Sequence, residues 1–212
     1  MMADERVYII GDIHGCLGML TNLMDKIEWR SDRDTLIFLG DYIDRGDNSK
    51  GVVDLMLKLV ETSTNVHCLM GNHEDIFLTF LAGEDITTFF ANGGETTLES
   101  YLVDGEILIP PDHITFFKSL RTWIELDDYY VVHAGLRPGV EIEGQTQEDL
   151  IWIRDTFIYS DYDFGKKVIF GHTPFTKPLV TDNKIGLDTG AVYGNRLTCL
   201  ELPGMKFHSV EA

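Results

Sequence analysis

Val7-Tyr8-Ile9-Ile10-Gly11-Asp12-Ile13-His14-Gly15 is the stretch that decides the fold. Four apolar residues run into a glycine, with Asp12 and His14 directly behind, so a buried strand delivers a carboxylate and an imidazole at its carboxyl end. The construction recurs. The apolar run 35–39 leads into Gly40-Asp41-Tyr42-Ile43-Asp44-Arg45-Gly46, and the run 66–70 into Gly71-Asn72-His73-Glu74. Two lone histidines carry similar flanks, His133 in Val-Val-His-Ala-Gly and His172 in Ile-Phe-Gly-His-Thr. Between the first three strands, residues 17–27 carry apolar side chains at helical spacing, Ser49 is placed to cap a helix over 52–60, and 75–81 reads as a short helix. Repeated βα units predict a parallel or mixed sheet with helices packed on it. Open sheets of this kind place their sites at the carboxyl ends of strands, where these segments fall.

Working outward, residues 83–111 are less regular, with Asn92-Gly93-Gly94 and the breakers Pro110-Pro111, and read as an excursion containing some helix. The second half turns β-rich. Strands are expected over 123–132, 168–170, Leu179–Val180, 185–187 and 197–202, with a helix or ordered loop over 146–158 carrying Trp152 and Arg154. An α/β fold, a central β-sandwich of two mixed sheets flanked by helices, accommodates both halves as a single domain over residues 1–212.

Charge narrows the partners. Thirty-five acidic against 17 basic residues give a net charge of −18, and so acidic a surface repels long nucleic acids. The four-residue run Val7–Ile10 is too short for a leader or a membrane span, and no later stretch reaches membrane length without charges. Cys16, Cys68 and Cys199 form no CxxC pair and cannot all be bridged, which fits a reducing cytoplasm. Cys16, at a helix start, reads as a small buried thiol; His67, His113 and His208 lack a partner pattern and read as surface or packing residues.

Carboxylates mixed with imidazoles suit first-row divalent ions, manganese first, with iron or zinc as alternatives. Asp12 and His14 alternate by two, so from an extended segment both point to one side and would hold a first ion. Asp41 would bridge to a second through its two oxygens, with Asn72, His133 and His172 completing that shell. Two such ions, about 3.5–4 Å apart, hold a water that attacks a phosphorus centre. Arg45 follows Asp44 on the turn after Asp41 and offers a planar fork to phosphate oxygens. His73 follows a ligand but would point elsewhere, which casts it as general acid for the leaving alkoxide, with Asp44 to orient it.

Together these segments resemble the metal-dependent phosphoprotein phosphatase family over nearly the whole chain, from Gly11 to about Gly194, and in particular its minimal bacterial and phage serine/threonine members. Asn92-Gly93-Gly94, Ile151-Trp152-Ile153-Arg154 and Leu187-Asp188-Thr189-Gly190-Ala191-Val192 resemble segments of that subgroup. The resemblance implies a metallophosphatase (calcineurin-like) fold and two divalent ions held by Asp12, His14, Asp41, Asn72, His133 and His172. It implies phosphate binding by Arg45 and Arg154 beside Asn72, and His73 with Asp44 as acid and orienting carboxylate. The expected substrate is a phosphoserine or phosphothreonine protein or peptide, with phosphotyrosine and small phosphate esters as further substrates. A symmetrical dinucleoside tetraphosphate hydrolase is the alternative, disfavoured by the presence of Asp44, which symmetrically cleaving relatives tend to lose. A non-catalytic phosphate-binding scaffold is the second alternative; it would need no His73.

Overall fold

The computed structural model describes residues 5–212. In chain order the elements are β1 (Val7–Ile10), α1 (Leu17–Lys26), β2 (Thr35–Phe38), α2 (Ser49–Thr62), β3 (Val66–Cys68) and α3 (Asn72–Leu81). The excursion follows as α4 (Ile86–Ala91), α5 (Gly94–Ser100) and a hairpin of β4 (Leu102–Val103) and β5 (Glu106–Ile107). Next come α6 (Pro111–Ser119), β6 (Trp123–Glu125), β7 (Tyr129–Val132), α7 (Gln147–Trp152) and α8 (Asp155–Ile158). The chain closes with β8 (Lys167–Phe170), β9 (Leu179–Val180), β10 (Lys184–Gly186), β11 (Arg196–Leu202) and β12 (Lys206–Glu211).

Two five-stranded sheets form, in the orders β12-β11-β1-β2-β3 and β6-β7-β8-β10-β9. Both are mixed. In the first, β1–β2 and β2–β3 pair parallel and β11 pairs antiparallel with β1 and β12. In the second, β7–β8 and β8–β10 are parallel and the edges antiparallel. Period-two alternation explains how they stack. Val7 and Ile9 face inward with Ile37, Leu39 and Leu200 to meet Val131, Ile169, Ile185 and Leu187 of the other sheet. Tyr8, Ile10, Leu36 and Phe38 point the opposite way, onto Leu20 and Leu23 of α1 and Val52, Val53 and Met56 of α2. The outer face of the second sheet, through Val132, Val168 and Phe170, is covered by Leu150, Ile151 and Phe157. The expected sandwich with flanking helices is therefore the observed fold.

Differences sit at boundaries. Asn48, not Ser49, caps α2, its side chain accepting from Gly51 N–H; Ser49 is turned to other use, below. The helix after β3 begins at Asn72 rather than Asp75, so its first turn carries the ligand candidates. Residues 123–132 make two strands joined by a turn, and 146–158 make two short helices with Arg154 between them. The strand β12 escapes the sequence reading because Lys206, His208 and Ser209 interrupt its apolar pattern. His113 and His208 are buried and partnered after all: His113 bonds Tyr101 and Asp54, and His208 bonds Glu201 at 2.7 Å.

The excursion is anchored by aromatics. Phe77 of α3 packs on Phe89 of α4 and Phe117 of α6, with ring centroids 5.6 and 5.3 Å away. Truncating such a fully buried ring costs about 3–5 kcal/mol. That packing seats α5 against the loop after β2, where the site lies. No helix among the described residues is long and apolar enough to cross a membrane.

Candidate metal centre

Five strands from both sheets end at one place. Asp12 follows β1, Asp41 follows β2, Asn72 and His73 open α3 behind β3, His133 follows β7, and His172 follows β8. Holding these groups together requires unusual backbone. Among the described residues eight non-glycine positions have φ in the left-handed region, and five are His14, Asp41, Asp44, Arg45 and His172. Such conformations cost about 1–2 kcal/mol each in an L-residue and persist only where surrounding contacts over-determine them. Gly40 (φ 105°) shows how tight the approach is: a Cβ there would sit 2.6 Å from Gly71 N and 3.0 Å from His133 Nδ1.

Asp41 is the hub. Its Oδ2 lies 3.4 Å from His14 Nε2 and its Oδ1 lies 3.4 Å from His133 Nε2. Asn72 Oδ1 is 2.9 Å from His172 Nδ1 and 3.2 Å from His133 Nε2. Ligand atoms of His14, Asp41 and His73 fall within 4.8 Å of one another, and so do those of Asp41, His133 and His172. These contacts are not ion pairs, because burial, outweighing the pull of Asp41, drives His14 down to about 3 and lowers His133 and His172 as well. The imidazoles are neutral near pH 7, as metal ligands must be. His14 Nδ1 donates to Ile43 C=O and His133 Nδ1 to Leu39 C=O, both at 2.8 Å, which turns each Nε2 lone pair toward Asp41. Burial alone would raise Asp41, but His133, His73, His14 and His172 around it hold its carboxyl well below the usual range. Asp12 goes the other way, raised by burial and then by Asp188 and Asp41. Its Oδ2 accepts from His172 N–H at 2.9 Å, while its Oδ1 is buried with no partner among the described residues. Converging lone pairs and an orphaned carboxylate oxygen fit a pair of divalent ions.

Two expectations change here. The chain turns left-handed at His14 rather than staying extended, so Asp12 reaches the cluster beside His172 N–H, and the triple that closes on His14 is His14, Asp41 and His73. His73 does not point away: its ring packs edge-on to His14 at 4.6 Å. Its Nδ1 lies 2.6 Å from Asp44 Oδ2, the pairing expected of a histidine and its orienting carboxylate. Arg45 reaches His14 Nε2 through Nη1 at 2.8 Å and lies over the Tyr193 ring at 5.7 Å. Arg154 is exposed, and its charge is among the lesser causes that lower His133 and His172.

Several supporting residues escaped the sequence reading. Fully buried Thr97, from α5, bonds Asp44 Oδ1 at 2.6 Å and, with Ser49, receives Asp44 N–H. Nothing in the sequence around Thr97 signals this. Glu74 accepts from Gly71, Asp41 and Tyr42 N–H at 2.8–3.0 Å, bracing the left-handed turn. Burial and then Asp41 push its carboxyl up to about 8 against the pull of those donors. A glutamate at the third helical position after Gly71 was the available clue. Asp188 is raised to about 6 by burial, against the Gly190 N–H bond, with Asp41 adding to the rise and Arg45 and Arg154 opposing it.

The model of the calcineurin-like phosphoesterase family matches residues 5–201. A Bacillus thuringiensis (strain Al Hakam) protein, the asymmetrical bis(5'-nucleosyl)-tetraphosphatase PrpE, is 31% identical over 230 aligned positions, spanning 95% of this chain and 92% of that one. A crystal structure provisionally named a diadenosine tetraphosphatase superposes with a TM-score of 0.77 at 25% identity, covering 100% of this chain and 95% of that one. A Saccharomyces cerevisiae serine/threonine phosphatase with similarity to human PP5 superposes at 0.71 with 17% identity, covering 100% and 81%. That last likeness is one of fold.

Proposed function

The chain belongs to the calcineurin-like phosphoesterase family, and from that premise we propose that it is a two-metal phosphomonoesterase acting on phosphoserine and phosphothreonine in proteins. One observation carries the choice of leaving group: His73 Nδ1 sits 2.6 Å from a fully buried Asp44 that is itself held by Thr97. A serine alkoxide leaves only with a proton, and an oriented imidazole beside the cluster supplies it. Asp12, His14 and Asp41 would hold one ion, and Asp41, Asn72, His133 and His172 the other. When bound, such ions supply Lewis-acid stabilisation of phosphoryl oxygens and a water acidic enough to act near neutral pH; manganese, iron and zinc all suit the donor set. Arg45, now on His14 Nε2, would turn its fork to the phosphate once that lone pair is engaged. Arg154 would bind a second phosphate oxygen from the rim. Three free thiols are in keeping with a cytoplasmic enzyme.

A second reading is favoured by the relatives, which are named asymmetrical dinucleoside tetraphosphatases. There the departing group is a nucleotide phosphate, which needs less help from an acid. Measuring kcat/KM for a phosphoserine peptide and for diadenosine tetraphosphate with the metal-loaded enzyme separates the two. His73→Asn, with metal content unchanged, is expected to slow the peptide about 100- to 10,000-fold and p-nitrophenyl phosphate far less. Efficient cleavage of the dinucleotide with none of the peptide would replace the first reading by the second.

A further inference from the structure

A groove of about 550 Å³, lined by Asp75, Gln147, Glu148, Ile151 and Trp152, opens beside the cluster. It starts one side chain from the metal-ligand candidates: the Trp152 ring, 37% exposed, stands edge-on to His172 at 6.0 Å. Helices α3 and α7 form its walls, tied together where Gln147 Nε2 donates to Asp75 Oδ1 at 2.7 Å. Among the described residues no lysine or arginine lines it. The lining thus offers two carboxyl groups and the exposed indole of Trp152. That combination matches one kind of occupant, a cation on an aliphatic stem. The stem lies along the indole of Trp152, and the charge meets the carboxylates, with a cation–π contribution from the same ring. A polyphosphate tail would meet only repulsion there.

We infer that this groove is the subsite for a lysine or arginine side chain of the substrate, placed near the phosphorylated residue. The inference rests on the phosphoserine and phosphothreonine reading and narrows it to phosphates set in basic segments. An extended peptide advances about 3.3–3.4 Å per residue. A groove beginning 6.0 Å from His172 therefore corresponds to roughly two or three positions from the phosphoresidue.

The test uses phosphoserine peptides that differ only in carrying Lys, Ala or Glu two and three residues to either side. With the metal-loaded enzyme, kcat/KM is expected to favour Lys over Glu about tenfold on one side, and the ratio should shrink as salt rises. Glu148→Lys is expected to abolish or invert the preference while p-nitrophenyl phosphate turnover stays at the wild-type rate. Glu148→Gln, gentler on the first turn of α7, should reduce it partway. Equal kcat/KM for Lys and Glu peptides, or a preference that survives both Glu148 variants, overturns the subsite. Failure to cleave any phosphopeptide while diadenosine tetraphosphate is cleaved overturns the phosphoprotein reading as well, a separate and recognisable result.

Discussion

Thr97→Val isolates the support behind the proposed acid. The substitution keeps the shape of a fully buried side chain and deletes one hydroxyl. That hydroxyl donates to Asp44 Oδ1 at 2.6 Å and accepts from Asp44 N–H at 2.9 Å. Ser49 Oγ, 3.1 Å from the same N–H, keeps the amide satisfied, but the carboxylate oxygen loses its donor. A hydrogen bond to a carboxylate in a dry site is worth about 1.5–3 kcal/mol. For a chain of this size a loss of about 2 kcal/mol lowers Tm by roughly 4–8 °C. The kinetic effect should be selective, because Asp44 is left free to rotate away from His73. We expect about a tenfold loss on a phosphoserine peptide, a fraction of the full general-acid advantage, and under threefold on p-nitrophenyl phosphate. Steady-state kinetics on both substrates, with bound metal measured in each preparation, provide the assay. Equal slowing of the two substrates, or an unchanged peptide rate alongside a lowered Tm, would refute a link from Thr97 through Asp44 to the leaving group.

Exhaustive chelation should abolish activity and manganese should restore it, while Asp41→Ala, which removes the carboxylate shared by both clusters, should fail to retain two ions by elemental analysis. Full activity after chelation would end the metal assignment. Arg45→Ala should keep both ions and weaken phosphate and transition-state analogues, losing about 2–4 kcal/mol of transition-state stabilisation in kcat/KM; an unchanged inhibition constant for phosphate would remove Arg45 from the site. Burial, and then Asp47, push the Cys16 thiol up to about 11. Its thiolate is scarce at pH 8 and grows only as pH climbs toward that value, so labelling of the native protein at pH 8 should run about 100-fold slower than for a free thiol. Unfolded protein should release three equivalents promptly; rapid native labelling at Cys16 would contradict the burial argument.

The strand ends were legible because two local signals coincide there, an apolar run that stops at glycine and a ligand side chain just beyond it. Val7–Ile10 into Asp12 and the run into Asp41 are read correctly for that reason. Side-chain direction was not legible. Whether His73 turns toward His14 depends on α3 starting at Asn72, a boundary that one chain's periodicity does not fix. That Asp12 and His14 point to one side was argued from extended backbone, whereas the chain at His14 is left-handed. Thr97 lies 53 residues from Asp44 and meets it through the packing of α5 on the loop after β2, which no short-range pattern encodes. Glu74 stood in view, but its partners are main-chain N–H groups, invisible to any reading of side-chain types.

The backbone at His14, Asp41, Asp44, Arg45 and His172 also sets the direction in which this chain would drift if its activity were no longer selected. At each of these positions glycine would relieve the left-handed cost that the present residue bears, about 1 kcal/mol or more apiece. Where the side chain makes no buried hydrogen bond that outweighs this relief, as at Arg45, random change would gain heat tolerance by erasing a side chain of the cluster. Among descendants of such a protein, inactive ones can be the hardier, and a library sorted for thermal survival alone should enrich for glycine at Arg45, whereas Asp44 is kept by its buried hydrogen bonds to Thr97 and His73. Keeping the enzyme alive during such sorting would require a phosphate ester in the screen.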